Sequence, residues 1–121
     1  MSAKEIGERF LSFVREGKDR ECVETLYADD AVSVEAMAMG EAGRETKGKK
    51  AILGQIEWWY ANHEIHDAKA EGPFPHGDDR FAVVFDVDVT QKSDGVRHKM
   101  REVAVYTLAD GKIARAEYFY G

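Results

Sequence analysis

Residues 81–90 read Phe81-Ala82-Val83-Val84-Phe85-Asp86-Val87-Asp88-Val89-Thr90. Phe81, Val83, Phe85, Val87 and Val89 alternate with Ala82, Val84, Asp86, Asp88 and Thr90, and this period of two is that of a strand with one apolar face. The flanks make it one limb of a meander. His76-Gly77-Asp78-Asp79 turns the chain into it, and Ser93-Asp94-Gly95 closes a hairpin after it. A further strand is expected from about Arg97 to Leu108. Asp110-Gly111 then offers two positions that tolerate positive φ, a strong hairpin signal, before a last strand from Lys112 to Tyr120. Upstream, weaker alternation from about Ile65 to Phe74 predicts a strand that stops at Pro73-Phe74-Pro75.

Before residue 65 the period changes to that of a helix. Ser2 and Glu5 form a capping box, and Ile6, Phe10, Phe13 and Val14 make one apolar stripe that Gly17 ends. Asp19 can cap a second helix with Cys22, Val23 and Leu26 on its buried side. Tyr27-Ala28-Asp29-Asp30 turns the chain into a first strand, Ala31 to Ala36. The polar, glycine-rich stretch from Gly40 to Lys50 reads as a loop. A third helix follows from about Lys49 to Asn62, with Ile52, Ile56, Trp59, Tyr60 and His63 on one stripe. Helices segregated from a meander give an α+β layer fold. The expected architecture is three N-terminal helices on a strongly curved, mostly antiparallel sheet, a cone with an apolar pocket.

Bulk properties narrow the function. At 121 residues the chain is expected to be a single domain spanning residues 1–121. A net charge of -6 argues against non-specific nucleic-acid binding and against attraction to an anionic membrane surface. The single cysteine, Cys22, reads as a small buried residue, because nothing cationic beside it would activate a thiol. The opening lacks the apolar run of a signal peptide and no stretch is long enough to span a bilayer, so a cytoplasmic protein is expected. No phosphate-binding loop, dinucleotide fingerprint or Ser/His/Asp signature is present, and no cofactor is expected. His63-Glu64-Ile65-His66-Asp67 straddles a helix end and lacks a third ligand at a telling distance, so no metal site is expected either.

Taken in order, these features resemble the nuclear transport factor 2-like superfamily, which includes the ketosteroid isomerases and the SnoaL-like polyketide cyclases. The resemblance rests on the two-helix start and on Leu26-Tyr27-Ala28-Asp29-Asp30-Ala31-Val32. It rests equally on Gly48 with Ala51-Ile52, on Tyr60-Ala61-Asn62, and on the Asp110-Gly111-Lys112-Ile113 hairpin before an aromatic final strand. It covers almost the whole chain and implies a homodimer with outer sheet faces in contact, where Val84, Val103 and Val105 point. It says little about function, since one scaffold hosts many chemistries.

Given that fold, alternation assigns sides. Ser33 and Glu35, then Val83, Phe85, Val87 and Val89, then Met100, Glu102, Ala104 and Tyr106, then Ala116, Tyr118 and Tyr120 should face the helices. Phe10, Phe13, Val14, Trp59 and Tyr60 should close the pocket from the helical side. The candidate ligand-binding residues are therefore Phe10, Val14, Trp59, Tyr60, His63, Phe85, Val87, Met100, Tyr106, Tyr118 and Tyr120, around an apolar small molecule. Glu35 stands where the isomerases carry their general base, with Glu35-Ala36 replacing the family's Asp-Pro. A carboxylate in an apolar hollow has its pKa raised toward the range useful for taking a proton next to a carbonyl. Glu102, a charge within an apolar strand, is the second catalytic candidate, and the two would split each other's pKa values. Each also has a bland reading as a salt-bridged rim residue.

Departures from the isomerase pattern matter as much. Its oxyanion tyrosine corresponds to Phe10 and its oxyanion carboxylic acid to about Ala104, neither of which donates a hydrogen bond. Losing such donors costs several kcal/mol of transition-state stabilisation, which argues against a steroid isomerase. Tyr60, Tyr118, Tyr120 or His63 are candidate replacements. The acid–arginine–acid arrangement of the superfamily's epoxide hydrolases is not matched, because adjacent Arg101 and Glu102 point to opposite faces. The sequence leaves three readings: an acid/base enzyme, an isomerase, cyclase or related lyase acting on an apolar carbonyl compound; a non-catalytic binding or dimerisation module; or a protein-recognition module that uses the outer sheet face.

Overall fold

The computed structural model describes residues 2–36 and 43–120. Its elements run α1 (Ala3–Arg15), α2 (Asp19–Leu26), β1 (Tyr27–Val34), β2 (Glu45–Lys47), α3 (Lys49–Asn62), β3 (His63–His76), β4 (Arg80–Gln91), β5 (Arg97–Ala109) and β6 (Lys112–Tyr120). The six strands form one sheet in the order β2-β1-β6-β5-β4-β3. All neighbours are antiparallel except β1 and β6, which pair in parallel. Register shifts interrupt β3 between Ile65 and Asp67 and between Glu71 and Phe74, and such bulges bend a sheet. The expected α+β architecture, three helices on a curved and mostly antiparallel sheet, is the one observed.

Local chemistry sets the element ends. The Ser2 hydroxyl accepts from the Glu5 amide at 3.2 Å while the Glu5 carboxylate accepts from the Ser2 amide at 3.4 Å, the reciprocal box read from the sequence. Gly17, at φ 72°, turns the chain out of α1 so that the Lys18 amide can reach the Phe13 carbonyl at 2.9 Å. Asp110 and Gly111 take φ 52° and 76°, the two left-handed positions that a two-residue hairpin requires.

Four expectations are corrected. Asp19 does not cap α2: Lys18 holds that position without a side-chain bond, and Asp19 is the first helical residue, its carboxylate engaged elsewhere. The first strand begins at Tyr27 and ends at Val34, because Tyr27 already pairs with Ile113 of β6. Part of the expected loop, residues 40–42, lies outside the described residues, but Glu45–Lys47 forms the edge strand β2. There Lys47, Thr46 and Glu45 pair with Val32, Ser33 and Val34, so ladder bonds prevail over the low strand propensity of a charged tripeptide. β3 begins at His63 rather than Ile65, taking over directly from α3.

The core lies where α1 and α2 meet the sheet. Ile6, Leu11, Phe81, Val83, Tyr106 and Ile113 are almost wholly buried. Phe10 packs its ring 4.5 Å from that of Tyr106 and 5.8 Å from that of Phe81. Gly7 lets α1 approach β3: a β-carbon there would lie 2.6 Å from Pro73 Cβ. On the outer face, Arg97 grips Asp88 through two bonds of 2.7 and 2.8 Å, and Arg101 reaches Asp86 at 2.9 Å. No helix among the described residues is long and apolar enough to cross a membrane.

Candidate active site

Beyond the core, the helices and the concave face of the sheet enclose a cavity of about 380 Å³. Strand register builds its sheet wall. Phe85 of β4 lies opposite Glu102 of β5, and Glu102 lies opposite Tyr120 of β6. Ala104 lies opposite Tyr118, and Val87 opposite Met100. The parallel pairing of Ser33 with Ala116 and Val34 with Glu117 carries the chain so that Glu35, just past β1, enters the same space. Because alternate residues share a face, Ser33 and Glu35 line the cavity while Val34 and Glu117 line an open cleft on the opposite side.

The wall contains Phe10, Val14, Trp59, Tyr60, Phe85, Val87, Met100, Tyr106, Tyr118 and Tyr120 together with Glu35 and Glu102. His63 is not on it. Its ring stacks on Trp59 at 3.8 Å, and its Nδ1 donates to the Trp59 carbonyl at 2.9 Å, so the helix end holds it behind the wall. His66 turns to Thr90 Oγ1 at 2.6 Å, so the two histidines have separate partners. Phe13 likewise packs against the core instead of closing the cavity. No group of acidic, histidine and cysteine side chains suited to a metal occurs among the described residues.

The two glutamates share an environment. Burial, and then the charge of Glu35, push the Glu102 carboxyl up to about 7. Burial also raises Glu35, offset in part by Tyr120. The Tyr120 hydroxyl lies 3.5 Å from Glu35 Oε2, at the long limit of a hydrogen bond, and is also within reach of the Glu102 carboxyl. Neither glutamate side chain has a basic partner among the described residues. Arg101 turns outward to Asp86 and Glu71, and Arg44 donates to the backbone carbonyl of Glu35 at 2.9 Å. Deeper in, the Tyr118 hydroxyl is hydrogen-bonded with both Tyr27 and Tyr106. Burial first, then the charges of Glu35 and Glu102, raise its pKa. The structure therefore combines two uncompensated carboxyls with a linked set of phenols in an apolar hollow.

Two functional candidates escaped the sequence reading. Tyr27 was assigned to a turn, but as the first residue of β1 it is 4% exposed and reaches Tyr118. Asp19 was assigned to a cap, but its Oδ2 accepts from the Tyr60 hydroxyl at 2.6 Å on the cavity wall, and burial raises its pKa. The only signal for Asp19 was its place beside the buried stripe of α2, which equally suits a surface cap.

A family model, the SnoaL-like domain, matches residues 1–120. The chain belongs to the SnoaL-like domain family. Among solved structures, this SnoaL-like protein is similar to a candidate SnoaL-like polyketide cyclase from Mesorhizobium loti. The two are 38% identical with a TM-score of 0.92, over 99% of this chain and 100% of that one. More distant structures share the fold. A Mycobacterium tuberculosis protein in complex with estradiol-17beta-hemisuccinate is 22% identical, with a TM-score of 0.76 over 100% of this chain and 95% of that one. A protein with a ketosteroid isomerase-like fold from Catenulispora acidiphila, in complex with trimethylamine, is 16% identical, with a TM-score of 0.74 over 99% of this chain and 88% of that one. No curated protein matches the chain in sequence.

Proposed function

We propose that this SnoaL-like protein is an acid/base enzyme that moves a proton next to the carbonyl group of an apolar substrate, as in an enolisation, isomerisation or cyclisation. The observation that carries this reading is the carboxyl pair. Glu35 and Glu102 enter one apolar cavity with Tyr120 beside both and, among the described residues, no cation to neutralise either. Glu102, pushed up to about 7, is the member of the pair that keeps a proton nearer neutral pH, while at Glu35 Tyr120 offsets part of the rise from burial. Glu35 takes the proton from carbon as the base. The protonated Glu102, or the Tyr118 phenol, donates a hydrogen bond to the developing enolate oxygen. The aromatic wall excludes water and binds the apolar body. Fold neighbours hold ligands as different as a steroid hemisuccinate and trimethylamine, so the chemistry of the wall, not the fold, selects the ligand.

The test is exchange of the α-protons of 2-tetralone in heavy water, followed by NMR. The wild type should accelerate exchange, and Glu35→Gln should lose at least about 100-fold of that acceleration. Equal exchange by the two would remove Glu35 as the base.

A second reading, a binding module without turnover, draws support from Phe10 and Ala104. Both are buried where the isomerase resemblance puts oxyanion donors. Ligand binding with no exchange in the wild type would favour it. On either reading we propose a homodimer through the outer sheet face, supported by exposed Val103 and Phe119. Sedimentation at micromolar concentration should give twice the chain mass, and Val103→Asp should give one chain mass.

A further inference from the structure

Charge on the cavity wall has one sign. Asp19, Glu35 and Glu102 line it, and no lysine, arginine or histidine does among the described residues. The basic neighbours of these acids point away: Arg20 pairs with Glu24 at 3.0 Å and with Glu57, and Arg101 with Asp86 at 2.9 Å. Nine wall residues are aromatic, among them Trp58, Trp59 and Tyr60 in succession on α3. The faces of such rings attract cations, and more strongly where water is excluded. A permanent anion entering the same space would give up hydration and meet three acidic side chains with no cationic one among the described residues, only neutral hydroxyl and amide donors.

Asp19 is distinct from the glutamate pair. It is carried by α2 and not by the sheet, and its charge acts on Cys22, Tyr27 and Tyr60. Tyr60 occupies Oδ2, whereas Oδ1 accepts no protein hydrogen bond among the described residues. Tyr60 thus fixes the carboxyl's orientation and leaves one oxygen for something else.

We propose that the ligand of this cavity carries a positively charged nitrogen, a protonated or quaternary amine, on its apolar body, and that Asp19 seats that nitrogen. Glu35 and Glu102 are then left for the reacting end. The inference rests on the cavity being the ligand site, as in the proposed function, but not on any turnover there. It makes Asp19 a specificity-determining residue and excludes carboxylate-bearing substrates.

The experiment compares phenyltrimethylammonium with tert-butylbenzene, which match in shape and differ by one charge. Both are titrated at pH 8 by NMR shift into the wild type and into Asp19→Asn. The asparagine carbonyl still accepts from Tyr60, so the variant keeps that hydrogen bond. The wild type should bind the cation at least about tenfold tighter than the neutral probe. Asp19→Asn should weaken cation binding by at least about tenfold and so abolish that difference. A cation that binds no tighter than tert-butylbenzene in the wild type overturns the proposal and leaves the acid/base reading standing. This arm needs no variant. A preference that persists in Asp19→Asn overturns the seat at Asp19. If neither probe binds, the proposal falls together with the cavity as the ligand site.

Discussion

Replacing Glu102 by Gln should make this protein more stable at pH 8 and leave its stability at pH 4 unchanged. Glu102 is mostly buried, has no basic partner among the described residues, and has its carboxyl pushed from 4.5 to about 7. At about 1.4 kcal/mol per pH unit, that rise corresponds to about 3 kcal/mol of preference for the neutral form in the folded state. A raised carboxyl contributes stability below its unfolded value and loses it as pH climbs. The penalty is absent below about 4.5, grows through the window up to about 7, and is complete above it. Glutamine has nearly the same shape, carries no charge, and keeps a hydrogen bond within reach of Tyr120. It also removes the repulsion felt by Glu35. Allowing for relaxation around the buried charge, a gain of about 1–3 kcal/mol is expected at pH 8, or roughly 4–12 °C in Tm for a chain of this size. Urea unfolding of both proteins at pH 4, 6 and 8 measures it. If the variant is equally or less stable at pH 8, Glu102 is compensated in the fold and the strain assigned to the cavity is absent. A carboxylate that lowers stability at neutral pH is the kind of residue a protein keeps for its site.

Gly7→Ala should cost about 1–3 kcal/mol, seen in the same unfolding assay, since its β-carbon would meet Pro73 Cβ at 2.6 Å and Phe81 Cδ2 at 3.2 Å. Cys22 is 2% exposed, and its thiol is pushed up to about 12 by burial and then by Asp19. It should therefore resist a disulfide reagent at pH 8 in the folded protein and react within minutes in urea; fast labelling of the native state would contradict its burial.

Much of the cavity wall is legible in the sequence because strand parity is a local property. Once Phe81 to Thr90 is a strand and Phe81 points inward, Phe85 and Val87 must follow, and the same rule carries Met100, Glu102, Tyr106 and Tyr118 to one side. Helical spacing does not carry His63 onto the wall, because the helix ends at Asn62. The chain becomes a strand at His63, and the ring folds back onto Trp59. Tyr27 and Asp19 are not legible in the sequence because both lie at element boundaries, where side-chain direction is set by distant partners: β6 for Tyr27, Tyr60 for Asp19.

By itself, then, the order of residues determined the three helices and the long strands, the inward face of each long strand, and the family. Those follow from periodicity and turn chemistry, which act over a few residues. The tertiary structure alone decided which strands adjoin. The parallel seam of β1 against β6 brings Glu35 to Tyr118 and Tyr120, and so to Glu102, across more than sixty positions of chain. No local pattern encodes that seam. It is fixed by the joint burial of apolar faces contributed by segments far apart in the sequence.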